Sequence, residues 1–229
     1  MTHVQVQNIA KQTINYLKSQ IRTGMSLIEI RRLAEDKMLS FGATSFWYWD
    51  VGAFVFAGED TILSVSGRHY KTADRTIAED DIITVDLSPQ AGDIWGDYAR
   101  TIIVEKGKVV DKVDDIVNTE WRNGLLFEDK LHKELLSWAT PERTFEELYF
   151  KMNELIAQSG YVNLDFMGNL GHSIERRKEN RIYIEKGNTK RLGDVGYFTF
   201  EPHISRSQTL YGYKKENIYF FENGALKAL

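Results

Sequence analysis

Two carboxylates stand where a folded chain can least tolerate them. Asp86 is embedded in the apolar run IITVDLS (82–88), and Glu201 lies within the aromatic stretch YFTFEPHI (197–204). Strand alternation puts Thr84, Asp86 and Ser88 on one face, with Ile83, Val85 and Leu87 on the other. A second acid, Asp97, follows in IWGDYARTIIV (94–104). A hairpin folded symmetrically about Ala91-Gly92 sets Asp86 and Asp97 opposite each other. Like charges facing across paired strands repel, and burying each ion costs on the order of several kcal/mol after relaxation. The problem recurs with Glu201 and with Glu216, which opens the segment NIYFF (217–221).

Two remedies exist: a carboxylate takes up a proton, or a cation sits between the acids. His172, in the glycine-flanked turn GNLGHSIE (168–175), can supply a nitrogen ligand. Oxygen-rich ligands with one imidazole favour manganese, iron, cobalt or zinc over copper. Five protein ligands (Asp86, Asp97, His172, Glu201 and Glu216) require bridging carboxylates, as in two-metal hydrolases with ions roughly 3.5–4 Å apart. Taken singly, Asp97 reads as a turn residue, Glu216 as a solvated edge charge after Lys214-Lys215, and His172 as a loop histidine. The joint occurrence carries the metal reading.

The periodicity gives the surrounding order. Ile9, Ile14, Leu17 and Ile21 recur at near-helical spacing over residues 4–23. Ser26 and Glu29 form a capping box for a second helix, which stops at Gly42. Strands are expected at 45–57, 61–66, 82–88 and 94–104. Helix is expected through 111–139 and from a second capping box at Thr144 and Glu147 to about Gln158. Strand-like segments close the chain at 181–185, 195–204 and 217–221, with a hairpin turn at Glu222-Asn223-Gly224. The two capping boxes lie 118 positions apart, and the same shift carries Asp86 and Asp97 to positions 204 and 215, beside Glu201 and Glu216. Two helix–helix–strand halves, each with a pair of carboxylates, are therefore expected in a single α+β domain over 1–229.

Composition narrows the class. A net charge of −4 and the lack of aromatic-plus-basic clusters give no sign of nucleic acid as a partner. There is no cysteine, which excludes disulfides, thiolate sites and a cysteine nucleophile. The opening MTHVQVQNIAKQ is too polar for a signal peptide. No apolar run approaches the ~20 residues of a membrane span, so a cytoplasmic protein is expected.

The strings VDLSPQAGDIWGDYART, GHSI, FTFEPHI and KKENIYFFENG together resemble the methionine aminopeptidase, Xaa-Pro aminopeptidase and prolidase superfamily. The resemblance covers almost the whole chain and implies the pita-bread fold of those metallopeptidases. It implies two divalent ions (manganese, cobalt, iron or zinc) held by Asp86, Asp97, His172, Glu201 and Glu216. It further implies that Glu201 is both ligand and proton shuttle, and that His69, in Gly-Arg-His-Tyr, binds substrate. The expected activity is aminopeptidase hydrolysis of the Xaa-Pro type on a peptide with a free N-terminus, and a homodimer is compatible with it. One departure stands out: where relatives carry a second histidine after the ligand histidine, this chain reads Glu175-Arg176-Arg177-Lys178-Glu179-Asn180. His203, two residues after Glu201, is the stand-in for substrate binding. The departure also admits a non-catalytic peptide- or protein-binding member.

Overall fold

Helix starts are specified by side chains that satisfy the free amides of the first turn. The computed structural model describes residues 1–229. Helix α1 (His3–Gln20) begins at Thr2 and α2 (Leu27–Ser40) at Ser26; α3 (Thr119–Trp138) begins at Asn118 and α4 (Phe145–Gln158) at Thr144. The boxes Ser26–Glu29 and Thr144–Glu147 both form, and Thr2 with Gln5 adds another. Helix α1 ends at Gln20, short of Gly24, because Ile21 already turns to extended backbone.

The strands are β1 (Ser45–Phe46), β2 (Ala53–Ala57), β3 (Asp81–Leu87), β4 (Pro89–Ala91), β5 (Ile94–Trp95), β6 (Tyr98–Glu105) and β7 (Lys108–Val110). The second half adds β8 (Tyr161–Asn163), β9 (Phe198–Phe200), β10 (His203–Arg206), β11 (Gly212–Lys214), β12 (Asn217–Glu222) and β13 (Ala225–Ala228). They form antiparallel sheets in the orders β2-β3-β6-β7, β1-β4-β5, β8-β10-β11 and β9-β12-β13.

The two-half organisation reappears as two apolar cores of 21 and 22 buried residues. One joins Leu17, Ile30 and Met38 of α1 and α2 to Val55, Val85 and Ile102. The other joins Leu131, Leu148 and Met152 of α3 and α4 to Phe198, Ile204 and Tyr213. Strand β3 alternates as its sequence demands: Ile83, Val85 and Leu87 enter the first core, while Thr84, Asp86 and Ser88 line a cavity. The halves are stitched at Thr101. Its Oγ1 accepts the Lys214 N–H at 2.8 Å and donates to the Lys214 carbonyl at 3.1 Å. Next to it, the Glu216 N–H donates to the Ala99 carbonyl at 3.0 Å.

Several expected strands are shorter or different. The 45–57 stretch breaks into β1 and β2 around Trp49 and Asp50, both in left-handed backbone at φ 58° and 56°. Residues 61–66 are not a strand. A 3-10 turn spans Gly58–Ile62, where the Thr61 hydroxyl donates to the Gly58 carbonyl at 2.6 Å and offers the backbone a local alternative to pairing. Residues 181–185 make only an isolated bridge, Tyr183 with His172. The 195–204 stretch is interrupted at Glu201-Pro202, since proline cannot donate to a ladder.

The first hairpin differs in register. Asp86 pairs with Ala99 and Gln90 with Trp95, so the turn is centred on Gly92-Asp93 rather than Ala91-Gly92. Gly92, at φ 63°, takes the first central turn position, where positive φ suits glycine. Asp86 and Asp97 are thus diagonal neighbours on one face, not directly opposed.

Asp97 is fixed by a buried clamp from α1. Gln7 Nε2 donates to the Asp97 carbonyl at 2.7 Å, and Gln7 Oε1 accepts the Asp97 N–H at 3.1 Å. Gln7 is fully buried. Gln7→Ala leaves both backbone groups unpaired, and urea unfolding of the variant is expected to show a loss of about 2 kcal/mol or more.

Candidate metal centre

The carboxylates converge from different strands at the seam between the halves. Oxygens of Asp86, Asp97 and Glu216 lie within 4.8 Å of one another. His172 Nε2 is 3.6 Å from Asp97 Oδ2 and 3.6 Å from Glu201 Oε1. Asp86, Asp97, His172 and Glu201 line a cavity of about 440 Å³. Glu216 is wholly buried, and neither of its carboxylate oxygens has a hydrogen-bond partner.

Local backbone explains each placement. Gly171, at φ 138°, passes so close to Thr199 that a Cβ would sit 2.4 Å from its carbonyl oxygen. That approach lets the His172 N–H donate to Thr199 Oγ1 at 3.0 Å, while the Thr199 N–H donates to the His172 carbonyl at 2.7 Å. Nδ1 of His172 is 3.0 Å from the Ser173 carbonyl, which can only accept, so Nδ1 carries the proton. Nε2 is left with a lone pair directed at the acids, the arrangement of a ligating imidazole. Burial, reinforced by the charge of Arg181, pushes the His172 pKa down to about 3, which keeps the ring neutral.

Electrostatics at the seam are adverse to charge. Burial first, then the charges of Asp86 and Glu201, hold Asp97 well above the ordinary carboxylate range. Burial and then Asp97, Glu201 and Asp86 do the same to Glu216. Glu201 is raised by burial but relieved by Lys214. Lys214 Nζ is 2.5 Å from Asp86 Oδ2 and 3.4 Å from Glu201 Oε2. Burial works against the Lys214 ammonium, but Asp86, Glu201 and Glu216 outweigh it and hold its pKa well above the usual lysine range. One ammonium against four carboxylates leaves Glu216 and Asp97 without a counter-charge. A divalent cation would supply it, and the unpartnered oxygens of Glu216 together with the free Nε2 of His172 fit such an ion.

The sequence profile of Metallopeptidase family M24 matches residues 3–223. The chain belongs to this family. Solved structures of family M24 folds align with it closely. An X-Pro aminopeptidase from Thermotoga maritima MSB8 is 21% identical at a TM-score of 0.79, over 98% of this chain and 58% of that one. A prolidase from Pyrococcus furiosus is 21% identical at a TM-score of 0.80, over 98% of this chain and 61% of that one. A methionine aminopeptidase from Thermotoga maritima is 13% identical at a TM-score of 0.77, over 98% of this chain and 93% of that one. Among curated proteins no sequence match is found. The chain thus spans about three fifths of the length of the first two structures. The α+β architecture is the pita-bread fold of family M24. No helix is long and apolar enough to cross a membrane.

Two sequence-based expectations change in the M24 frame. His69 is exposed and does not line the cavity. It sits in a turn whose next residue, Tyr70, points inward and accepts the Val55 N–H at 2.8 Å, which directs His69 outward. His203 does line the cavity, but its Nε2 donates to the Thr61 carbonyl at 2.7 Å, and burial lowers its pKa to about 4. Arg100 donates to the carbonyls of Ala99 and Glu216, each at 2.7 Å, and steadies the seam. Sequence alone does not single out Lys214 or Arg181. Lys214 looked like half of a solvent-exposed lysine pair. Arg181 opens the alternating segment RIYIE (181–185), whose period of two was its only signal.

Manganese or cobalt is expected to raise the thermal midpoint by roughly 5 °C or more at saturation, with most of that increment lost in Glu216→Gln. In chelator the sign reverses. The folded-state pKa of Glu216 lies above its unfolded value, so its burial is tolerated at low pH and becomes costly as pH rises toward the raised value. The metal-free Glu216→Gln protein should therefore melt above the parent protein, by a margin that grows with pH.

Proposed function

We propose that Asp86, Asp97, His172, Glu201 and Glu216 hold two divalent metal ions and that the protein is an aminopeptidase of the Xaa-Pro type, cleaving the first residue from a peptide with a free N-terminus. The observation that carries this reading is the convergence of buried, under-compensated carboxylates around a neutral imidazole in a chain of family M24. Bound ions would supply Lewis acidity, polarising a carbonyl and acidifying a water held at the site.

The residues assign the remaining work. Asp97 and Glu216, both buried, serve as fixed ligands. Glu201 keeps 18% of its side chain exposed toward the cavity, so it can reach both solvent and substrate. It takes a proton from the attacking water as the new carbon–oxygen bond forms. It then delivers that proton to the amine nitrogen as the carbon–nitrogen bond breaks. Thr199 Oγ1 donates to Glu201 Oε1 at 3.3 Å and Lys214 lies beside Oε2, which together orient the carboxylate. A free α-amino group seated beside the candidate metal centre would restrict cleavage to the first residue. His203 contributes a neutral, pinned ring to the substrate wall.

A peptide-binding protein without hydrolysis is the second reading, favoured by the absence of a histidine from residues 175–180. Digestion of a library of free peptides from two residues upward with manganese or cobalt, read by mass, separates the two: loss of single N-terminal residues at any length supports the enzyme, and peptides intact at every length support the binder. Glu201→Gln is expected to lower kcat by about a hundredfold to ten-thousandfold while the fold persists. Undiminished turnover would remove Glu201 from the mechanism. His69→Ala is expected to leave kcat/KM within about twofold of the parent, as suits a residue outside the cavity.

A further inference from the structure

Two cations line the cavity, and only one has a carboxylate partner. Lys214 is engaged by Asp86 and Glu201, whereas Arg181 forms no ion pair. Its Nε–H donates to the Lys178 carbonyl at 2.8 Å, and its terminal nitrogens have no hydrogen-bond partner within the protein. Three rings hold the guanidinium in place: its carbon lies 4.8 Å from the ring centre of Trp47, 5.5 Å from Tyr183 and 5.9 Å from Tyr48. A planar fork, fixed on aromatic faces with its outer donors free, suits bidentate recognition of a carboxylate.

Its position gives the wall a polarity. Ile182 and Ile184 pack on the apolar core, so Arg181, Tyr183 and Glu185 face the cavity in a row. The row runs antiparallel to 171–174, with the Ser173 N–H donating to the Ile182 carbonyl at 2.7 Å and the Ile184 N–H to the Gly171 carbonyl at 2.8 Å. Tyr183 therefore faces His172, with ring centres 5.9 Å apart. Arg181 and Glu185 flank it at roughly 7 Å of chain on either side. A carboxylate is attracted at one end of this row and repelled at the other, and His172 stands opposite its middle. The cavity is also bounded. Two of its lining loops, which carry Ser64 and Phe166, are tied together by the Phe166 N–H donating to Ser64 Oγ at 3.1 Å.

We infer that Arg181 receives the α-carboxylate of a short peptide, so that the site selects free di- and tripeptides over longer or C-terminally amidated chains. The inference rests on the peptidase reading for the class of occupant, but its test does not depend on turnover. Ala-Pro, Gly-Leu and Ala-Ala-Pro, each as free acid and as amide, are titrated calorimetrically into the metal-free protein. The parent protein is expected to bind the acids about tenfold or more tightly than the amides. Arg181→Gln should bring that ratio to about one, and Arg181→Lys should restore part of it. Circular dichroism melts establish that both variants are folded. An equal acid-to-amide ratio in parent and Arg181→Gln overturns the assignment, as does no saturable binding of any acid. Acid-selective binding without hydrolysis once manganese is added would sustain the role of Arg181 and sink the peptidase reading. Hydrolysis indifferent to the peptide C-terminus would do the reverse.

Discussion

The repulsion among Asp86, Asp97, Glu201 and Glu216 is the constraint around which this fold is arranged. Four carboxylates at one seam, two of them fully enclosed, would oppose folding if all were ionised and uncompensated. The chain answers in part with Lys214, which reaches only the two acids nearest the cavity. Asp97 and Glu216 remain, and each must either keep its proton or meet a cation, which would tie the stability of the seam to proton and metal concentration. A site of this kind is not an ornament on a finished scaffold: β6 and β11, which stitch the halves, lie next to Asp97 and Glu216 in the chain, and β11 carries Lys214.

The arrangement explains why so many polar contacts meet there. Gln7 reaches from α1 to grip the backbone of Asp97, Thr101 bridges to Lys214, and Arg100 reaches the carbonyl of Glu216. Each fixes main chain and leaves the carboxylate itself free. The imidazole of His172 is treated in the same way: Nδ1 is tied to the Ser173 carbonyl and Nε2 is left open. Asp97, Glu216 and His172 are thus oriented through their backbone or far edge, while their carboxylate oxygens and Nε2 accept no hydrogen bond; Asp86 and Glu201 are held instead by Lys214.

Much of this was legible in the chain. The capping boxes at Ser26 and Thr144 start helices as their spacing requires, and the alternation of β3 sorts Asp86 from Val85. Both rest on local rules that tertiary context did not override. The failures were non-local or concerned a direction. The register of the first hairpin depended on which glycine-adjacent bond formed the turn. His69 pointed outward because Tyr70 pointed in, a choice that only the packing of β2 decides. Lys214 and Arg181 carry no motif, since the significance of Lys214 depends on Asp86, more than a hundred positions away, and that of Arg181 on Trp47 and Tyr48 from a distant turn.

The first hairpin also limits how its tip can change over evolutionary time. Side chains on a paired strand switch faces with every single step along the chain. Inserting or deleting one residue between Gly92 and Asp93 would, unless a bulge absorbed it, turn Asp97 toward the oily interior and bring Gly96 or Tyr98 to the face it had held. An insertion of two would restore its orientation at the expense of reach. Length variation that is carried into the ladder, rather than taken up by a longer loop or a bulge, should therefore come in even steps, a parity rule imposed on the paired strands by the direction one buried acid must face.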